Sequence, residues 1–219
     1  MVQGLMYQSA SPELLKSAAD HLTKVDSHLA PIIARAGLPT IVPNKNYYQA
    51  LVESIISQQL SVKAAATILK RFLELFPGDE FPTPGQILEK DIEELRNVGL
   101  SRQKGTYIQD LAVKVIEQKV RFNHLDTLSN EEVIAELTTI KGVGVWTVHM
   151  FLMFCMGRLD VLPTGDLGIK NGIYALYDLK EKPSPEEMEA IAKLYKWHPY
   201  ETAASWYVWH SLDNKPAIQ

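Results

Sequence analysis

The chain has 219 residues, of which 46% are hydrophobic and 22% charged, so it can bury the core of one large domain or two small ones. Its net charge of −4 argues against a broad basic surface that follows nucleic-acid phosphates. The single cysteine, Cys155, excludes disulfides and cysteine-ligated zinc within one chain and favours an intracellular protein. The N-terminus lacks a basic segment followed by an apolar one, so we expect no secretion signal.

Apolar residues at helical spacing, separated by short segments rich in Pro, Gly and Asp, predict helices along the whole chain. The longest apolar stretch, 143–156, is too short to span a bilayer and predicts a buried helix. No window alternates apolar and polar residues as a strand does, so the predicted fold class is all-α. In chain order, the predicted helices cover about 11–25, 27–36, 47–60, 61–76, short segments from 83 and from 91, 101–118, 129–138, 145–156, 165–177, 184–196 and 199–210.

Two glycines flank a single residue in Gly142-Val143-Gly144, at a predicted turn between two apolar helices; residues 140–144 are called the hairpin below. Glycine tolerates positive φ and lets another group approach the backbone closely. Amides at the start of the following helix could bind a phosphate, helped by the helix dipole. The alternative is an ordinary corner between helices, in which glycine only ends the first one.

Four separated segments carry a resemblance to a known family: 57–65 (SQQLSVKAA), 137–148, 162–170 and 197–200. Their order and spacing resemble the helix-hairpin-helix (HhH-GPD) superfamily of DNA glycosylases, and within it the 3-methyladenine DNA glycosylase II (AlkA-type) branch. The resemblance covers about 47–209. It implies a single compact glycosylase domain, 1–219, with an active-site cleft between two helical subdomains, approximately 47–160 and 1–46 plus 161–219.

The resemblance places the catalytic carboxylate at Asp166, directly after Gly165 at a predicted helix start. Hydrolysis of an N-glycosidic bond builds positive charge on the sugar, which a fixed carboxylate stabilises while it orients water. The alternative is that Asp166 only caps a helix. Members that also cleave the DNA strand have a lysine two residues after the second hairpin glycine, where this chain has Trp146. We therefore expect a monofunctional enzyme.

The base pocket is expected to include Trp146 and Tyr200, which match aromatic positions of the family. Alkylated purines carry positive charge, and cation–π stacking on each ring stabilises them by about 0.5–2 kcal/mol. Met150 stands where some members have a tyrosine, and Glu201 where a basic residue is frequent. His149 could line the pocket, although a core histidine with satisfied hydrogen bonds is the favoured interpretation.

The same resemblance implies a loop that enters the minor groove, with Gln59 as the side chain that fills the space of the flipped base. The residues expected to contact DNA are Gln58, Gln59, Leu60, Ser61, Lys63, Lys141, Gly142, Val143, Gly144 and Thr147. Backbone amides and a few cations, such as Lys63, Lys104, Lys141 and Lys170, would bind phosphates. Core packing is the favoured role of Trp206 and Trp209, which lie one helical turn apart.

No cofactor is expected to be required, but the backbone carbonyls of Thr138, Ile140 and Val143 could hold a structural Na⁺ or K⁺. A metalloenzyme is disfavoured because the six histidines show no close metal-binding spacing.

The predicted function is base-excision repair: the enzyme flips out alkylated purines such as 3-methyladenine and 7-methylguanine from damaged double-stranded DNA and hydrolyses the N-glycosidic bond, leaving an abasic site. We expect a monomer that does not bind membranes. Three alternatives stay open: a glycosylase for deaminated or oxidised bases, a non-catalytic helix-hairpin-helix DNA-binding module, and a helical protein–protein scaffold.

Overall fold

The computed structural model describes residues 9–78 and 80–212, and every regular element within these ranges is helical. The all-α prediction is therefore confirmed. None of the helices in the described part is long and apolar enough to cross a membrane. The α-helices are α1 Pro12–Val25, α2 Ala30–Ala36, α3 Tyr47–Ser57, α4 Val62–Leu73, α5 Pro84–Leu88, α6 Ile92–Asn97, α7 Arg102–Ile116, α8 Asn130–Leu137, α9 Val145–Met150, α10 Leu167–Leu176, α11 Pro185–Leu194 and α12 Glu201–Leu212.

The predicted helix starts agree with the structure because side-chain caps are local. Ser61, Ser129 and Ser184 each accept a hydrogen bond from the amide three residues ahead. The exception is α2, which begins at Ala30 and not at the predicted residue 27. There the Asp26 carboxylate accepts hydrogen bonds from the backbone amides of His28 and Leu29, so the chain forms a turn before the helix begins.

The long apolar helix predicted over 145–156 is wrong in two respects. The α-helix α9 ends at Met150 and continues as a π-helical turn, Phe151–Cys155, a rarer geometry with one additional residue between hydrogen-bond partners. In addition, its first residues are not buried, since Val145 and Trp146 are 50% and 48% exposed.

The chain divides into two compact units. The first contains residues 45–151, in which α7 packs against α3, α5 and α6, α3 also packs against α4, and α8 packs against α9. Its core is built from buried side chains such as Leu51, Ile55, Ile108 and Leu111.

The second unit contains residues 9–44 and 152–212, in which α12 packs against α1, α2 and α10. Trp197 and Tyr207 are the largest fully buried side chains of its core. Asp26 is also fully buried there, and accepts hydrogen bonds from the Tyr177 hydroxyl and from Trp197 Nε1 at 2.8 Å. The first unit begins at residue 45 and ends at residue 151, which is two and nine residues before the expected bounds of about 47 and 160.

Candidate active site

The two hairpin glycines have different structural roles. Gly142 has φ +78°, and a Cβ there would lie 2.0 Å from the Tyr107 ring, so no other residue fits without displacement. Gly144 has an ordinary φ of −95°, precedes α9 as its N-cap, and would hold a Cβ with nothing within 4 Å. Gly142 therefore permits the turn itself, whereas Gly144 leaves open space at the start of α9.

A partly buried carboxylate on α7 supports the hairpin. Asp110 Oδ2 accepts hydrogen bonds from the backbone amide of Lys141 and from Lys114 Nζ, both at 2.9 Å, and the second of these is also an ion pair. Asp110 Oδ1 lies 3.5 Å from Lys141 Nζ. Burial opposes ionisation, but the Lys141 amide and the two ammonium groups together hold the pKa of Asp110 below its usual value. Lys141, which was expected to contact DNA, therefore also holds the hairpin against α7.

The carbonyls expected to hold a monovalent cation lie in and before this turn. The Ile140 carbonyl accepts the amide of Val143 at 3.1 Å. A carbonyl has two acceptor sites, so this hydrogen bond leaves one for an ion. The cation therefore stays a prediction.

Residues 58–61, called the wedge loop here, follow the end of α3 at Ser57. The helix α3 ends three residues before its predicted end at 60, and Gln59 adopts the left-handed conformation with φ +57° in the turn that follows. Gln59, Leu60 and Ser61 are exposed. The Gln58 side chain instead donates its Nε2 hydrogen to the carbonyl of Gly142 at 2.9 Å, so it reaches the hairpin.

A groove of about 780 Å³ in the first unit brings many of the predicted site residues together. Those lining it are Gln58, Gln59, Leu60, Gly142, Trp146, Thr147 and Met150. The groove also includes Lys104, which was expected to bind a phosphate, and residues that were not predicted to belong to the site, namely Ser54, Ser57, Ser101, Gln103 and Tyr107. The unpredicted residues lie on α3, on α7 or at its N-cap Ser101, and apart from Ser57, which begins the 57–65 segment, no local motif marks them. Lys63 is exposed on the first turn of α4 and does not line the groove.

Two residues predicted for the base pocket do not line this groove of the first unit, and their role in the pocket stays a prediction. Tyr200 belongs to the second unit, where its ring lies 5.3 Å from that of His21. His149 does not line the groove, and its Nδ1 is buried without a hydrogen-bond partner, so the interpretation as a core histidine with satisfied hydrogen bonds is wrong at this atom. Burial lowers the His149 pKa, which keeps the ring neutral.

Asp166 lies in the second unit as the N-cap of α10. Its Oδ1 accepts the amide of Ile169 at 2.8 Å and the indole Nε1 of Trp209 at 2.9 Å. The capping alternative therefore describes the geometry correctly, but it does not account for the second donor. A Cβ on Gly168 would lie 2.8 Å from Trp209 Nε1 and 3.0 Å from Asp166 Oδ1, so glycine is needed for this approach.

Trp209 packs against the core of the second unit, as expected, and in addition donates a hydrogen bond to the candidate catalytic carboxylate. Phe154, from the π-helical turn, stacks on the indole of Trp209, with ring centroids 6.0 Å apart and ring planes inclined by 29°. Trp206 is 8% exposed and stacks on His210, so its core assignment is correct. The one-turn spacing of the two tryptophans did not predict which of them would contact Asp166, because that contact depends on how α12 packs against α10.

Comparison with known proteins defines the family. A sequence model of the HhH-GPD superfamily of base excision DNA repair proteins matches residues 52–196. Over 198 residues, the chain is 35% identical to the alkylbase DNA glycosidase-like protein mag2 of Schizosaccharomyces pombe, a match that covers 89% of this chain and 92% of that protein. The chain therefore belongs to the HhH-GPD superfamily, as its four motifs predicted.

Solved structures share the fold. The S. pombe 3-methyladenine DNA glycosylase Mag1, in complex with abasic DNA, matches with a TM-score of 0.76 and 35% identity, over 88% of this chain and 95% of that one. A DNA-3-methyladenine glycosidase from Bacillus halodurans matches with a TM-score of 0.80 and 37% identity, over 95% and 93% of the two chains. The helix-hairpin-helix glycosylase fold is confirmed.

Proposed function

We propose that this chain is a monofunctional DNA-3-methyladenine glycosylase of the type II (AlkA-type) branch, which removes alkylated purines from double-stranded DNA and leaves an abasic site. The observation that carries the proposal is the Asp166 carboxylate, held by Ile169 N and Trp209 Nε1 at the start of α10. The names of the relatives, two of them 3-methyladenine glycosylases, support the same substrate class.

In this mechanism the bond between C1′ and the purine nitrogen breaks, and its electron pair leaves with the base. An N-alkylated purine is already a cation, so it departs as a neutral base without a proton from the enzyme. Asp166 stabilises the positive charge on the sugar and directs water to C1′, and the proton of that water passes to the carboxylate or to solvent. Because two donors fix the carboxylate in advance, it needs little reorganisation at the moment of reaction.

Trp146 supplies the aromatic face for the alkylated base. It is 48% exposed and lines the groove of the first unit, so a ring with positive charge can reach its π face. The base must leave the duplex to be held there, and the exposed wedge loop, with Gln59 at its tip, is proposed to fill the gap that it leaves. Because Trp146 replaces the Schiff-base lysine, strand cleavage is not part of the activity.

The proposed DNA interface is local, as the net charge of −4 requires. The open space at Gly144 and the start of α9 would accept a phosphate, and a Na⁺ or K⁺ on the carbonyls of Thr138, Ile140 and Val143 would add positive charge beside it. Substituting choline for Na⁺ and K⁺ at constant ionic strength tests the cation, and weaker binding to abasic-site DNA is expected.

The test of the activity is release of free purines from methylated duplex DNA by the wild-type protein and by Asp166→Asn. Asparagine is as good an N-cap as aspartate and retains the acceptor oxygen, so the fold and the DNA affinity should be preserved while the charge is lost. We expect the variant to release base on the order of 100-fold more slowly, or not at all.

Comparable release by both proteins would show that Asp166 is only a cap. If neither protein released base but both bound abasic-site DNA, the non-catalytic binding module would be correct. Strand cleavage or borohydride trapping of a covalent complex by the wild-type protein would contradict the monofunctional assignment.

A further inference from the structure

A side-chain hydrogen bond joins the wedge loop to the hairpin. Gln58 donates its Nε2 hydrogen to the Gly142 carbonyl at 2.9 Å, across 84 positions in the sequence. Gly142 is the hairpin residue that the Tyr107 ring packs against, so its carbonyl is a fixed acceptor. The position of the wedge loop is thereby tied to that of the hairpin.

A second contact fixes the same loop from the side of α7. Lys104 Nζ donates to the carbonyl of Ile56 at 2.8 Å and to that of Gln58 at 2.6 Å. The last carbonyls of a helix have no partner within it, and a cation at this end also interacts favourably with the helix dipole. Burial lowers the pKa of Lys104, but the ammonium still faces these two carbonyls.

Between these two contacts the backbone adopts a disfavoured conformation. Gln59, which follows the two hydrogen-bonded groups of Gln58, has φ +57°, a value that residues with a side chain rarely adopt. Such conformations persist where the surrounding structure determines them, and here the side chain and the carbonyl of Gln58 are both held. The direction of the exposed Gln59 side chain therefore depends on Gln58 and Lys104.

We infer that Gln58 and Lys104 are positioning residues that hold the wedge loop and the hairpin as one DNA-facing surface, so that the wedge enters the duplex in register with the phosphate bound at the hairpin. This inference rests on the proposed function. It reassigns both residues: Gln58 acts through the loop and not as a direct DNA contact, and Lys104 stabilises a helix end and does not bind a phosphate.

The experiment compares single-turnover base release from methylated duplex DNA and from the same strand alone, because only the duplex has a stack to open. The variants are Gln58→Ala and Lys104→Met. Gln109→Ala is the matched control, since Gln109 also donates its side-chain amide to a backbone carbonyl of the first unit, that of Lys90 at 2.8 Å, away from the wedge loop.

We expect Gln58→Ala and Lys104→Met to lower the duplex rate on the order of tenfold and to change the single-strand rate by less than about twofold, while Gln109→Ala changes neither. Lys104→Arg, which keeps the charge and the donors, should restore much of the duplex rate. An unchanged duplex rate in the Gln58 and Lys104 variants, or equal losses on both substrates, would overturn the inference.

Salt dependence separates positioning from phosphate binding. A phosphate contact contributes to the slope of log affinity against log salt, so Lys63→Met should reduce that slope by about one, whereas Lys104→Met should leave it unchanged. A reduced slope in Lys104→Met would make it a phosphate contact and overturn its positioning role. Absence of base release by the wild-type protein is a different result, since it would overturn the proposed function and this inference with it.

Discussion

The indole Nε1 of Trp209 donates a hydrogen bond to Oδ1 of Asp166 over 2.9 Å, although the two residues are 43 positions apart. The same oxygen accepts the amide of Ile169, which fixes it from within its own helix. One donor is therefore local to α10 and the other comes from α12. The carboxylate is oriented by the tertiary structure as well as by its cap, and the stacking of Phe154 on Trp209 limits the positions that the indole can take.

Trp209→Phe removes the indole donor and keeps an aromatic ring. We expect the single-turnover rate of base release to fall about fivefold to 20-fold, because the carboxylate loses one of the groups that orient it, with a smaller effect on DNA affinity. Trp206→Phe is the matched control: it should lower the melting temperature, because Trp206 is buried, and leave the rate unchanged. An unaltered rate in Trp209→Phe would show that the cap alone orients Asp166.

The two hairpin glycines should respond differently to alanine. Gly142→Ala forces a Cβ into the Tyr107 ring and into a left-handed conformation, so we expect the free energy of unfolding to decrease by about 2–4 kcal/mol. Gly144→Ala meets no neighbouring atom and should change it by less than about 1 kcal/mol. Urea denaturation measures both values, and equal effects would contradict the assignment of the turn to Gly142.

Gly144→Asp tests the phosphate site without disturbing the fold, because the position is open. A carboxylate there would repel a phosphate at the start of α9, so we expect affinity for abasic-site duplex DNA to fall on the order of tenfold, and less at high salt. Gly144→Ala controls for the added Cβ. If the aspartate variant bound DNA as tightly as the alanine variant, the phosphate would lie elsewhere.

The Glu201 carboxyl group should make the free energy of unfolding decrease as the pH rises through its pKa. Its Oε2 is buried without a hydrogen-bond partner, and burial raises its pKa above the usual 4.5, although its own backbone amide and His198 oppose the shift. The raised pKa means that ionisation destabilises the folded protein. The cost is absent below the unfolded-state pKa and fully present once the pH exceeds the folded-state value.

Glu201→Gln mimics the protonated carboxyl group. We therefore expect the variant to melt at a higher temperature than the wild type at pH 7–8, and the difference to vanish as the pH falls towards 4.5. Glu189→Gln, at an exposed position on α11, should show no such trend. A stabilisation that did not change with pH would point to a cause other than the buried charge.

Local sequence determined the helices and their starts in this protein. Caps such as Ser129 act on an amide three residues away, so their signal is complete within one turn of the chain. For the same reason the hairpin glycines and the Gly165-Asp166 helix start could be recognised from the sequence, and with them the family. The helix ends were predicted less well, because the end of α3 depends on the left-handed Gln59 and not on a glycine.

Only the tertiary structure decided which side chains complete the candidate site. Trp206 and Trp209 are equivalent in the sequence pattern and both pack against the core, yet it is Trp209 that donates to Asp166. In the sequence, Lys104 resembles a phosphate-binding cation. In the structure, its ammonium donates hydrogen bonds to the carbonyls of Ile56 and Gln58, which are 48 and 46 positions away. The physical reason is the same in each case: the partner of a side chain is set by the packing of helices distant in sequence, whereas composition and spacing record only what lies within a few residues.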